Sequence, residues 1–390
     1  MNIARTMKKR VTYYNPWKAD NGYTLFSPRL AKDVWLIDIE GRIVNHWRMP
    51  YPPAGHGVLL PNGNLLYAGR LKTNEELGLP REFASAGGVL LEVDWDGNLV
   101  WKAEVPYQNH DFFPMDNGHI LYTTFPPEDN LPDEYAAKLK GGIPDTEFKG
   151  KVWGTSVYEI DQDGKIVWKW LSHEHLDPEL DPICPLETRA KWPLQNSIWV
   201  CQDGSILFSL RLPSEVVKVD YNTGRVIGRY GRGRIFHQHD ARELDNGNIT
   251  VFDNGNHRHN YEASYSRVVE IDPTTDEIVW EYKANPPSDF YSSTMGGAER
   301  LPNGNSVICE SQMGRIFEVT VGGEIVWEYI SPFAAGIGLD RYSNSMFRAH
   351  RYTRDYPGLK GKDLDPARFP WENRTFGPDT YKKEFTPLVF

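Results

Sequence analysis

VYEIDQDGKIVW, Val157–Trp168, decides the fold, because five further copies of the same strand–turn–strand pattern lie along the chain. They are VWLIDIEGRIVNHW (Val34–Trp47), LLEVDWDGNLVW (Leu90–Trp101), VVKVDYNTGRVIGRY (Val216–Tyr230), VVEIDPTTDEIVW (Val268–Trp280) and IFEVTVGGEIVW (Ile316–Trp327). Their turns recur roughly every 45 to 70 residues, the period of a four-stranded propeller blade and too long for a small solenoid repeat. Between them runs a second element, HGVLLPNGNLLYAGR (His56–Arg70), HDFFPMDNGHILYTT (His110–Thr124), NSIWVCQDGSILFSL (Asn196–Leu210), HDARELDNGNITVFDNG (His239–Gly255) and GGAERLPNGNSVICES (Gly296–Ser311). N-G and D-G between apolar runs mark tight hairpins, since glycine accepts the positive φ such turns need. Each blade is thus an inner hairpin followed by an outer one.

Five inner hairpins face six outer ones, and the unmatched outer hairpin is the first. FRAHRYTRDYPG, Phe347–Gly358, supplies the missing innermost strand, so residues 20–48 form the outer strands of a blade completed from the C-terminal side. The expectation is an all-β, six-bladed β-propeller with four-stranded blades, one domain over 1–390, its ring closed by N-terminal strands joining the last blade. Segments 126–151 and 172–193 read as insertions, the first with a helical pattern near Asp133–Leu139 and the second Pro-rich and irregular; 359–390 reads as an aromatic tail. Those long segments are expected to wall an aryl pocket or mediate oligomer contacts. The recurrent Trp101, Trp168, Trp280 and Trp327 are expected to pack between blades.

A formal net charge of −10 disfavours a general nucleic-acid or anionic-membrane surface. With no apolar leader or membrane-length apolar run, the expected location is the cytoplasm. Three scattered cysteines, Cys184, Cys201 and Cys309, show neither a disulfide framework nor local metal-ligand spacing, so no cofactor and no metal are expected.

Counting back eight residues from each inner-turn glycine gives Gly55, His110, Asn196, His239 and Gly296, with His350 at the matching place in the last blade. Innermost strands of equivalent blades put equivalent positions at one height, so three histidines and an asparagine are expected to converge, with His56 beside them. His237, two residues before His239, points to the same side if that segment is extended. Arg211, in SLRLPS at the end of the strand that follows the Asn196 hairpin turn, is a planar fork suited to sulfate, phosphate or carboxylate. His173, His175, His257 and His259 lie in polar stretches and are expected to be solvated.

The runs LQNSIWVCQDGSILFSLRLPSEVVKVDYNTGRVIG, FHQHDARELDNGNITVFDNG and GGAERLPNGNSVICESQMGRIFEVTVGGEIVWEY resemble the bacterial PAPS-independent arylsulfotransferase family over about residues 85–355. The distinctive parts are Q-H-D before F-D-N-G and the N-S segment with an arginine 15 residues on. The resemblance implies a propeller whose channel histidine is transiently sulfurylated. Residue by residue it assigns His239 as nucleophile, Asn196 and Arg211 to the sulfuryl group, and His110 as a supporting histidine. Family members commonly show H-x-N-S; here the first position is Leu194. The β-sandwich and secretion signal of better-known members are absent from this sequence, which reads as a short, divergent member. In this scheme His350 or His56 moves the phenolic proton, and the partners are an aryl sulfate and a phenol. Two other classes fit the same residues: a metal-dependent lyase or hydrolase with the inner-strand histidines as ligands, and a non-catalytic binding propeller.

Overall fold

The computed structural model describes residues 9–79, 83, 87–258, 263–336 and 342–374. Its blades, in chain order, are built from β1 (Arg10–Tyr14), β2 (Tyr23–Pro28), β3 (Asp33–Ile37), β4 (Ile43–Arg48), β5 (Pro53–Leu59), β6 (Leu65–Gly69), β7 (Val89–Val93) and β8 (Leu99–Glu104). Next come β9 (Gln108–Pro114), β10 (Ile120–Thr124), the helix α1 (Asp133–Lys138), β11 (Gly141–Ile143), β12 (Trp153–Gly154), β13 (Ser156–Ile160) and β14 (Ile166–Leu171). They are followed by β15 (Ile183–Thr188), β16 (Lys191–Trp192), β17 (Gln195–Val200), β18 (Ile206–Leu210), β19 (Glu215–Val219) and β20 (Val226–Tyr230). The remainder are β21 (His239–Glu243), β22 (Ile249–Asp253), β23 (Arg267–Asp272), β24 (Glu277–Tyr282), β25 (Gly297–Arg300), β26 (Ser306–Glu310), β27 (Arg315–Val319), β28 (Ile325–Ile330), β29 (Ala335–Gly336), β30 (Tyr342–Ser343) and β31 (Met346–Tyr352).

Six antiparallel blades result, β5–β8, β9–β10–β13–β14, β17–β20, β21–β24, β25–β28 and the split blade β31–β2–β3–β4. This is the six-bladed β-propeller class read from the repeats. β1 adds a fifth strand outside β28. The chain forms two compact units: residues 1–69, 90–102 and 295–390 in one, 70–89 and 103–294 in the other.

The hairpins follow the turn chemistry of the sequence. In the Asp161–Lys165 turn the Asp161 carboxylate accepts from the amides of Asp163 and Lys165, and Gly164 sits at φ +76°. The corresponding glycine is missing from DPTTDE, where Asp276 adopts φ +57° instead, as short polar residues do most readily.

The Trp positions tie neighbouring blades. In one unit Trp47 Nε1 donates to the carbonyl of Asp94 (2.9 Å) and Trp327 Nε1 to that of Ile39 (2.7 Å). In the other, Trp168 Nε1 donates to Tyr221 (3.2 Å) with the rings stacked, and Trp170 Nε1 to Gly224 (2.9 Å). Trp168 and Trp327, two of the four expected positions, thus bind the outer-hairpin turn of the adjacent blade, and so do Trp47 and Trp170.

The insertions are more ordered than the sequence reading allowed. The helix falls where expected, but 172–193 is not irregular: β15 pairs in parallel with β11, and β16 with β12. The partners lie some 40 residues apart and the strands are two to six residues long, too short for an alternation to show. Of the tail, Phe369 packs on an apolar cluster with Trp35, Ile37 and Trp327; residues 375–390, Tyr381 included, lie outside the described residues.

Candidate functional site

In the second unit the first strands of three blades, β9, β17 and β21, run side by side. Each carries one expected site residue, and each breaks register there. In β9 the ladder jumps from the Asn109–Thr123 pair to Phe112–Tyr122, leaving His110 in a bulge. In β17 it jumps from Gln195 to Ser197, leaving out Asn196, and in β21 the irregularity begins at His239 and ends at Arg242. Bulges re-aim side chains and recur beside active sites. The backbone turns are sharp, with φ +43° at His110 and +52° at Asp240.

His239 is buried, and Asn254 Oδ1 lies 2.7 Å from its Nδ1. Asn254 Nδ2 donates to the carbonyl of Ser292 at 2.7 Å. A carbonyl only accepts, so this bond fixes which end of the amide faces His239. Oδ1 only accepts too, so Nδ1 carries the proton and the lone pair lies on Nε2. Asn254 is the N of the F-D-N-G motif; its partner sits 15 residues away, a spacing that carries no local signal.

One amide hydrogen of Asn196 goes to the carbonyl of Gln238 (2.7 Å), so Asn196 holds the backbone immediately before His239. Gln238 reinforces this with its own amide, donating to Ser209 Oγ (3.1 Å) and to the carbonyls of Leu210 (3.1 Å) and Glu215 (2.9 Å). Asp240 is buried and accepts from Arg242 Nε. Burial drives the His110 pKa well below 6.5, helped by His239, Lys191 and Arg211 and opposed by Asp111.

Arg211 is buried where the strand reading put it, but it has a partner the sequence did not show. Glu187, on β15, offers Oε1 at 2.9 Å from Arg211 Nη2. Burial pushes the Glu187 pKa up, yet contact with His237 and the charge of Arg211 outweigh it and hold the group at about 2. An anion approaching Arg211 must therefore share it with a carboxylate.

His237 corrects an expectation. Its segment is not extended: φ is +54°, so the two-residue alternation with His239 does not apply. The ring is fully buried against His257, with centroids 4.7 Å apart. Burial lowers its pKa to about 4. His257 is half-buried rather than solvated, its Nδ1 3.4 Å from Cys184 Sγ. His175 is also half-buried, stacked on Trp170; His259 lies outside the described residues. Among the described residues, the group with metal-ligand spacing is Cys184, His237 and His257, whose ligand atoms lie within 4.8 Å of one another.

In the first unit His56 and His350 meet as expected, with Nδ1 of His56 2.9 Å from Nε2 of His350. Glu299 Oε1 lies 2.6 Å from His350 Nδ1, a carboxylate in GGAER that the register argument passed over. The line runs carboxylate, imidazole, imidazole. With Glu299 accepting from His350 Nδ1, His350 Nε2 accepts from His56 Nδ1.

Leu194, where the family pattern has histidine, holds φ +65° and is buried in the apolar cluster with Trp192, Ile183 and Leu212.

No helix among the described residues is long and apolar enough to cross a membrane. Among curated protein sequences none matches this chain. A solved protein of unknown function from Bacteroides caccae shares the fold at 13% identity and TM-score 0.52, covering 85% of this chain and 98% of its own. Virginiamycin B lyase from Staphylococcus aureus, solved with quinupristin, aligns at 13% identity and TM-score 0.47 over 87% of this chain and 98% of its own. Residues 84–332, most of the chain and all of the His110, Asn196, Arg211 and His239 cluster, match the arylsulfotransferase (ASST) family, and the protein belongs to it.

Proposed function

We propose that the protein transfers a sulfuryl group from an aryl sulfate to a phenolic acceptor through a sulfo-histidine at His239. The observation that carries this is the Ser292–Asn254–His239 chain of hydrogen bonds, which leaves the lone pair on Nε2. Family membership supports the reaction class. In the first half-reaction Nε2 attacks sulfur; the N–S bond forms, the aryl S–O bond breaks, and the electron pair leaves on the phenolate. In the second, the acceptor phenol passes its proton to solvent, which balances the proton the released phenolate takes from solvent, its oxygen attacks sulfur, and the N–S electron pair returns to Nε2.

Arg211 stabilises charge on the sulfuryl oxygens and Asn196 fixes the Gln238–His239 backbone, while His110, its Nδ1 turned to Asn109 Oδ1, is a neutral neighbour of the pair. The acid–base role of His350 and His56 rests on the Glu299 line by itself. Glu299 fixes the tautomer of His350, and through it that of His56. Intact-protein mass spectrometry after mixing with 4-nitrophenyl sulfate tests the proposal. One SO₃ should add to the wild type, map to the peptide containing His239, and be absent from His239→Asn. Turnover without any adduct, or an adduct on another residue, overturns the assignment of His239.

A further inference from the structure

Three segments of the second unit that share no local pattern bring a thiol and two imidazoles together. Cys184 comes from β15, His237 from the turn before β21, and His257 from the turn after β22. Cys184 Sγ and His257 Nδ1 are already 3.4 Å apart. Sulfur and nitrogen bound to one tetrahedral zinc, at about 2.3 and 2.1 Å, stand about 3.6 Å apart. His237 is the second and independent observation. It is fully buried, and neither ring nitrogen makes an aligned hydrogen bond. Glu187 Oε1 lies 3.3 Å from Nδ1, close but off the donor direction. A buried imidazole with no satisfied nitrogen is costly in a metal-free protein and is accounted for by a ligand.

We propose that Cys184, His237 and His257 bind a zinc-type divalent cation, with Glu187 placed to take the fourth position. The donor set selects the metal class: one soft thiolate and two imidazoles favour zinc over the oxygen-seeking magnesium and calcium. Charge is consistent with it. A Glu187 carboxylate and a metal-bound thiolate offset the dication, and Glu187 Oε1 also lies 2.9 Å from Arg211 Nη2. The site ties β15 to the two turns that flank β21 and β22, the strands carrying His239 and leading into Asn254. This inference is independent of sulfuryl transfer.

The test uses the full chain purified without chelator. Elemental analysis should find stoichiometric zinc. Replacing it with Co²⁺ should give a thiolate-to-cobalt charge-transfer band together with the strong visible absorption of tetrahedral cobalt. Cys184→Ser should lose the charge-transfer band, and His257→Ala should weaken Co²⁺ binding at least 10-fold. His257→Ala keeps the thiol, so it remains informative if Cys184→Ser does not fold. The Cys184 thiol should also react slowly with a disulfide reagent until the metal is stripped. Absence of stoichiometric zinc together with absence of the band in the wild type overturns the proposal, as does an unchanged spectrum in Cys184→Ser.

Discussion

Asn254 makes the smallest-scale statement about the chemistry: it touches no reacting atom in the proposed reaction yet selects which nitrogen of His239 is basic. Asn254→Leu should therefore lower kcat about 10- to 100-fold with little change in KM, whereas Asn254→Asp should retain more activity because a carboxylate still accepts from Nδ1. Steady-state kinetics with 4-nitrophenyl sulfate decide it, and equal losses in both variants would remove Asn254 from this role. His110 makes a different prediction, in the pH dependence of stability. Its folded pKa is depressed, so the unfolded chain takes up a proton first. The contribution is fully present above 6.5 and is lost as pH falls below it. Thermal unfolding midpoints should drop less steeply on acidification for His110→Gln, in which the neighbouring His239, Lys191, Arg211 and Asp111 are unchanged. Leu194 tests the departure from the family pattern. Its side chain sits in an apolar cluster, so Leu194→His buries an imidazole there, costs about 1–3 kcal/mol, and gives no gain in sulfuryl transfer. A rise in turnover would show that position 194 does reach the sulfuryl group.

At the scale of strands and turns, each tryptophan that donates to a neighbouring turn is a bolt between blades. Removing the donor from Trp327 leaves the buried Ile39 carbonyl short of a partner, so Trp327→Phe should cost about 1–3 kcal/mol in urea denaturation; an unchanged midpoint would mean packing alone holds the blades. This level was the most legible in the sequence. N-G and D-x-x-G spacings set hairpins, hairpins set blades, and counting from the turn glycines landed on His110, Asn196 and His239. Counting failed where geometry departs from a regular strand. The positive φ of His237 voided its alternation, and the insertion strand that delivers Glu187 to Arg211 is too short to read. Asn254, Glu299 and the Cys184–His257 contact share one cause of invisibility, since each meets its partner across tens of residues of chain or out of strand register.

For the molecule as a whole, the split blade carries the largest commitment. Strands β2 to β4 find their fourth member only at β31, more than 300 residues later, and the pair Leu25–His350 lies in that seam. A chain lacking residues 1–48 should therefore expose the edge of β31 and aggregate, which size-exclusion chromatography would show; co-expression of the 1–48 segment should restore the monodisperse species. The same seam sets a timetable for synthesis. At about 5–20 residues per second, the ribosome takes roughly 15–60 s to travel from β2 to β31. Through that interval Trp35, Ile37 and Trp47 wait in a sheet whose inner edge is still being translated. The blade begun at β2 is thus the last to be finished, and holding its strands apart from other nascent chains is work the cell must do before the molecule can have any activity.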